Sequence, residues 1–129
     1  MKLLLDTHVV LWSATEPGRL GAEARAALED GAHEVLVSVV TAWEIAIKQS
    51  LGKLDLARPA DQWLPDVLRR TGFEVASVGL PAALRVRGLE WHHRDPFDRL
   101  LIAQALEEGY TIVTHDQVFA AYGVPVLRA

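Results

Sequence analysis

Short apolar runs alternate with helical stretches from one end of this chain to the other, and that alternation leaves few folds open. Lys2 to Leu5, Glu34 to Ser38, Phe73 to Val78 and Tyr110 to Thr114 have the length and apolar content of buried strands, and Pro125 to Leu127 adds a small one at the end. Helical patterns fill the gaps. An apolar turn from Val9 to Trp12 is broken by Pro17-Gly18, and Ala22 to Asp30 is rich in good helix formers. Ala42 to Leu51 is stopped by Gly52, Pro59 opens a helix through Arg70, and Pro81 starts a short one ending near Gly88. The cleanest amphipathic pattern runs from Pro96 to Glu108, with Gly109 as its stop, and a last short helix spans Gln117 to Tyr122. Continuous rather than alternating apolar strands imply a parallel sheet with helices on both faces. The expected architecture is therefore α/β, a three-layer α/β/α sandwich around a central parallel sheet of four to five strands. At 129 residues the chain suits one domain, 1–129, burying roughly two thirds of its unfolded surface.

Acidic residues recur where these patterns change. Asp6, Glu44, Asp98 and Asp116 each lie within a turn of a strand end or a helix start. Parallel neighbours share one carboxyl edge, so acids remote in sequence can be delivered to a single crevice. Four carboxylates about 5 Å apart would repel by roughly 3 kcal/mol per pair at an effective dielectric near 20. Protonation or a divalent ion must relieve that cost, and an all-oxygen donor set favours a hard cation such as Mg²⁺ or Mn²⁺. Hydrolysing a phosphodiester calls for the same set, since metal held by carboxylates supplies both an activated water and a counter-charge. Asp6, Glu44 and Asp98 are the expected ligands and Asp116 completes the cluster. Each acid also has a structural explanation. Thr41-Ala-Trp-Glu44 fits a capping box, Asp95-Pro96 fits an N-cap with proline at the first helical position, and Asp6 and Asp116 can cap the helical turns that begin just after them.

The segment Trp91 to Arg99 is the densest in functional groups. Arg94 and Arg99 are candidates to position a backbone phosphate, with His92 or His93 stacking or donating, against the alternative that the arginines pair with Asp95 and Asp98. Thr7 and Thr114 are placed to orient carboxylates from behind, with Asp95 in a similar supporting position. His8 and His115 adjoin key acids but read first as structural histidines, and Trp12, Trp43 and Trp63 as core or interface. Ser38 and Thr41 lack a Ser-His-Asp setting, and no glycine-rich fingerprint comes after the first strand, which argues against nucleophilic serine chemistry and dinucleotide binding.

The charge of -4 disfavours a protein that coats nucleic acid through a general basic surface, yet a basic rim around an acidic site is compatible with it. There is no cysteine, hence no disulfide framework or thiolate zinc site. Leu3 to Leu5 is too short for a signal peptide or membrane span, so a cytoplasmic protein without membrane contact is expected.

Four blocks in order, Leu3-Leu-Leu-Asp6-Thr7-His8, Ser38-Val-Val-Thr41-Ala-Trp-Glu44-Ile, Asp95-Pro-Phe-Asp98-Arg-Leu-Leu-Ile-Ala-Gln-Ala and Thr111-Ile-Val-Thr114-His-Asp116, resemble the PIN-domain family, and within it the VapC toxins of toxin-antitoxin pairs. The resemblance covers essentially the whole chain. It implies a PIN-like fold whose metal-site roles fall on Asp6, Glu44, Asp98 and Asp116. It further implies a Mg²⁺- or Mn²⁺-dependent endoribonuclease, a homodimer, an RNA substrate, and inhibition by a cognate VapB antitoxin whose tail fills the acidic groove. Two other readings compete: a catalytically silent PIN-like protein-binding module, and a haloacid-dehalogenase-like phosphatase using Asp6 as nucleophile. The phosphatase is weakened because His8 stands where that chemistry wants a second Asp.

Overall fold

The computed structural model describes residues 1–129. In chain order it holds β1 (Lys2–Leu5), α1 (Thr7–Thr15), a 3-10 turn (Pro17–Arg19), α2 (Ala22–Glu29), β2 (Glu34–Ser38), α3 (Val39–Ser50) and α4 (Ala60–Thr71). Next come β3 (Glu74–Ala76), α5 (Leu80–Arg85) with a 3-10 turn (Val86–Gly88), α6 (Pro96–Glu108), β4 (Thr111–Thr114), a 3-10 helix (Gln117–Tyr122) and β5 (Val126–Arg128). All five strands are parallel, in the order β3-β2-β1-β4-β5. The central β1 pairs Leu3 with Val35 and Thr111, and Leu4 with Leu36 and Ile112.

Alternation along the strands builds two cores. Leu3, Leu5, Val35, Val37 and Val113 face α1, α2, α4 and part of α3 through Val9, Val10, Ala24, Ile45, Trp63, Leu64 and Val67. Leu4, Leu36 and Ile112 point the other way, against Leu101, Ile102 and Ala105 of α6 and Phe119. A helix layer on each face is what parallel strands buried on both sides require. Ser38 and Gln104 tie the layers through a polar link: the Ser38 hydroxyl donates to Gln104 Oε1 at 2.6 Å, and Gln104 Nε2 donates to the Ser77 carbonyl at 3.1 Å. Both side chains are fully buried, so each needs the other to satisfy its polar atoms.

Two local expectations are corrected. α3 begins at Val39, three residues before Ala42, because Ser38 rather than Thr41 is the N-cap, its hydroxyl accepting from Val40 N at 3.0 Å. Glu44 is therefore in the second turn and forms no capping box. The β-branched run Val39-Val40-Thr41 has poor helix propensity, but burial of Val40 and Thr41 overrides it. β3 is also shorter than Phe73 to Val78, as it is an edge strand paired only to β2 over three residues. The Asp95 cap holds: its Oδ1 accepts from Phe97 N at 2.9 Å and Asp98 N at 3.1 Å. Replacing Asp95→Ala is expected to lower the stability of the protein by about 1 kcal/mol in urea unfolding, whereas Asp95→Asn, which keeps the cap, should cost nearly nothing.

Candidate active site

Between β1 and β4 the order of the strands reverses, and the crevice outside their carboxyl ends is where such sheets place ligands. A cavity of about 600 Å³ opens there, lined among others by Asp6, Glu44, Asp95, Asp98 and Asp116. Asp6 comes directly after β1, and Asp116 stands two residues beyond β4. Glu44 descends from α3, which leaves the end of β2, and Asp98 projects from the first turn of α6. Acids separated by up to 110 positions are thereby gathered on one rim.

Their environments differ. Asp6 and Glu44 are buried, Asp98 half-buried and Asp116 exposed. Asp6 accepts from His8 N at 2.7 Å, which caps α1, and from the Thr114 hydroxyl at 2.5 Å. Burial pushes its carboxyl above the usual value, against the lowering effect of those bonds and of His8. Glu44 accepts from the Thr7 hydroxyl at 2.6 Å and pairs with Lys48 one turn on. Asp98 is the most perturbed: burial, then the charges of Asp95, Asp6, Glu44 and Asp116, push it up to about 8. Asp116 caps the 3-10 helix through Val118 N at 3.0 Å. Capping and site membership, alternatives in the sequence, thus coexist in Asp6 and Asp116, each using one oxygen locally. Thr7 and Thr114 sit behind the carboxylates they bond.

The predicted basic rim is rearranged. Arg99 is 2% exposed and turned away from the cavity; its guanidinium donates to the carbonyls of Glu90 at 2.8 Å, Leu89 at 3.3 Å and Val86 at 3.4 Å, and to the Tyr122 hydroxyl at 3.1 Å. It stacks 3.8 Å over Trp91 and pairs with no carboxylate, so its expected role on a phosphate is corrected to that of a loop anchor. Arg94 is exposed and paired with neither Asp95 nor Asp98. His92 packs edge-on to Tyr122 at 4.7 Å. His93 lies inside, its Nε2 3.1 Å from Asp98 Oδ2. Trp63 is core as expected, while Trp43 is 57% exposed and Trp12 lines the cavity between His8 and His115.

Lys48, Gln117 and Arg128 also line the cavity, and the sequence pattern does not single them out. Lys48 is within reach of sequence reasoning, since Glu and Lys four apart on a helix face one another. Burial alone would lower the Lys48 ammonium, but its bond to Glu44 and the charges of Glu44, Asp95 and Asp98 raise it above its ordinary value. It is the cation that balances Glu44 in the metal-free protein. Lys48→Met should therefore destabilise the metal-free protein by about 1–2 kcal/mol, less than a fully buried pair because the ammonium is partly exposed, and a divalent cation should recover much of the loss. Urea titrations with and without Mn²⁺ measure both effects.

The donor chemistry suits a hard divalent ion: carboxylate oxygens predominate, no thiolate exists, and Asp98 is held near neutral by burial and by surrounding negative charge. No three acidic or histidine side chains are drawn into a closed coordination set, so the arrangement is an open acidic cleft rather than a finished cage. No helix is long and apolar enough to cross a membrane.

Comparison with known proteins bears on the family and the fold. The chain is 33% identical over 126 residues to "Ribonuclease VapC22" of Mycobacterium tuberculosis, spanning 95% of this chain and 93% of that protein. In structure it resembles VapBC2 from Rickettsia felis bound to a promoter DNA fragment, at a TM-score of 0.76 and 16% identity over 99% of this chain and 98% of that one. It is also similar to DNA-bound VapBC from Salmonella typhimurium, at 0.72 and 17% over the same shares. At such identities the solved structures speak for the fold. The PIN domain profile matches residues 3–125, and with that match and the VapC22 relative the chain belongs to the PIN-domain family.

Proposed function

We propose that this protein is an endoribonuclease dependent on Mg²⁺ or Mn²⁺, the toxin of a VapBC-type pair. The observation that carries this reading is the convergence of Asp6, Glu44, Asp95, Asp98 and Asp116 on one cavity at the carboxyl edge of the sheet. Relatives named ribonucleases VapC22 and VapC16 support the activity, and divalent-metal dependence is general among PIN-domain ribonucleases. Asp6, Glu44 and Asp98 would hold the ion, directly or through water, and Asp116 completes the set. A bound divalent ion supplies a counter-charge for the scissile phosphate and lowers the pKa of an attacking water. Asp116, exposed at the rim, is free to orient that water. Thr7 and Thr114 keep Glu44 and Asp6 aimed inward. Arg94 and His92, both exposed near the start of α6, would meet the RNA backbone together with Arg128 of the cavity wall.

The partners belong to the same reading. A VapB-like antitoxin would cover the acidic cleft, and a second copy of the chain would cover the apolar residues Val39 and Trp43 on α3 and Leu80 and Leu84 on α5, all at least 45% exposed and at helical spacing. Both helices pack on α6, next to the cleft.

Incubating the purified protein with total RNA and Mg²⁺ or Mn²⁺ should produce new ends that EDTA suppresses. Intact RNA under all these conditions would overturn the nuclease assignment. Because Asp6, Asp95 and Asp116 also serve as caps, a silent binding module is the reading to exclude, and it predicts no saturable Mn²⁺ binding and no thermal stabilisation by the ion. A phosphatase with Asp6 as nucleophile finds no support in a family match spanning residues 3–125.

A further inference from the structure

His93 does not face the cleft as an isolated ring. Its Nε2 is 3.1 Å from Asp98 Oδ2 and its Nδ1 is 2.7 Å from the Tyr122 hydroxyl. Counting donors at Tyr122 fixes the proton positions. Arg99 Nη1, 3.1 Å away, can only donate, and so can the His93 backbone N–H at 3.2 Å. These two occupy the acceptor capacity of the phenolic oxygen, so its single O–H must be given away. The better target is His93 Nδ1 at 2.7 Å, the other candidate being the His93 carbonyl at 3.3 Å. With Nδ1 accepting, the imidazole proton is on Nε2 and points at Asp98.

We infer that Arg99, Tyr122 and His93 form a directed hydrogen-bond relay that fixes the Nε2–H tautomer of His93 and thereby positions the Asp98 carboxylate. Three features of the fold serve this arrangement. Arg99 is buried with only carbonyl and hydroxyl acceptors, and by gripping the carbonyls of Val86, Leu89 and Glu90 it pins the loop that carries His93 onto α6. Trp91 lies 3.8 Å over the same guanidinium and closes it in. Tyr122 ends the 3-10 helix whose cap is Asp116, so the relay connects the supports of two of the four acids. Asp98 is held through Oδ2 and is itself part of the cavity wall. Outer partners of this kind orient ligating groups, and losing them typically weakens metal binding about 10- to 100-fold. His93 and Tyr122 are thus positioning residues, acting through Asp98 rather than on substrate.

The inference rests on the assignment of Asp98 to the reacting site, and the test separates the two. In ¹⁵N-edited spectra of the wild-type protein at neutral pH, the His93 ring, assigned by its loss in His93→Gln, should show a protonated Nε2 and an unprotonated Nδ1. A protonated Nδ1 would overturn the relay whatever the protein's activity. Mn²⁺ affinity is the second readout: His93→Leu should bind about 10- to 100-fold more weakly, while His93→Gln, whose amide can donate to Asp98, should stay near wild type. Tyr122→Phe should fall between them and shift the His93 tautomer. Equal Mn²⁺ binding by His93→Leu and wild type would also overturn the relay. Undiminished Mn²⁺ binding by Asp98→Asn would instead remove Asp98 from the metal site, leaving the tautomer to decide the relay by itself.

Discussion

Asp98→Asn should abolish RNA cleavage and, at neutral pH, make the metal-free protein more stable than wild type. The two effects have one cause. Asp98 is half-buried among Asp95, Asp6, Glu44 and Asp116, and burial first, then those charges, push its carboxyl up to about 8. Asparagine keeps the shape, keeps an oxygen to accept from His93, and removes the acid that must take up a proton to be buried there at neutral pH. Without a ligand charge the site loses several kcal/mol of stabilisation for the metal-bound reacting groups, which at about 1.36 kcal/mol per tenfold is a loss on the order of 10³-fold or more in rate. A fluorogenic RNA assay and thermal unfolding in EDTA, run on the same preparation, check both halves. An inactive variant that was also less stable than wild type would attribute the loss to misfolding and break the link between the acid and the chemistry. Asp6→Asn should likewise end cleavage, but with a smaller gain in stability, because the Asp6 oxygens accept from Thr114 and from the first turn of α1.

The metal-free protein should also lose stability as the pH is raised from about 4 to about 8, and divalent cations should reverse the loss. Asp98 sets the sign. Its folded-state value of about 8 lies above the unfolded value of 3.8, so across this window the folded protein holds a proton that the unfolded chain has released. The stabilisation linked to that proton is complete below the unfolded value and disappears as pH passes through the folded one. Burial shifts Asp6 in the same direction. Ionised carboxylates elsewhere in the protein can act oppositely, so the clean quantity is the difference between wild type and Asp98→Asn, which should move steadily in favour of the variant as pH rises. A cation bound only by the folded state at about 100 times its Kd adds about 2.7 kcal/mol, worth roughly 10 °C in a chain of this size. The increment should be larger at about pH 8 than at about pH 5, because the ligands must be deprotonated to bind. Equal shifts at both pH values, or none with Mn²⁺ at millimolar concentration, would contradict a carboxylate metal site.

Much of this protein could be read from residue order alone. β2 and α6 run over the residues their patterns predict, Glu34–Ser38 and Pro96–Glu108, because each is bounded by strong local signals: a β-branched run in one case, an Asp-Pro start and a glycine stop in the other. That stop, Gly109, adopts φ 76°, where other residues are strained. The parallel sheet is implied by apolar strands separated by helices, and the acids are visible as a recurring residue type at the junctions. What residue order could not decide is direction and company. Nothing local distinguishes Arg99, which buries its charge among backbone carbonyls, from Arg94, which keeps it in solvent, for both flank the same Asp-Pro-Phe-Asp. Nor does any spacing announce that Tyr122 will meet His93 across 29 positions. Local preferences act over a few residues, so they specify elements and their ends. The orientation of a side chain among remote partners is decided only when the sheet closes and buried polar atoms are driven to find mates; at this site strand order gathers the acids and that drive selects which residues hold them in place.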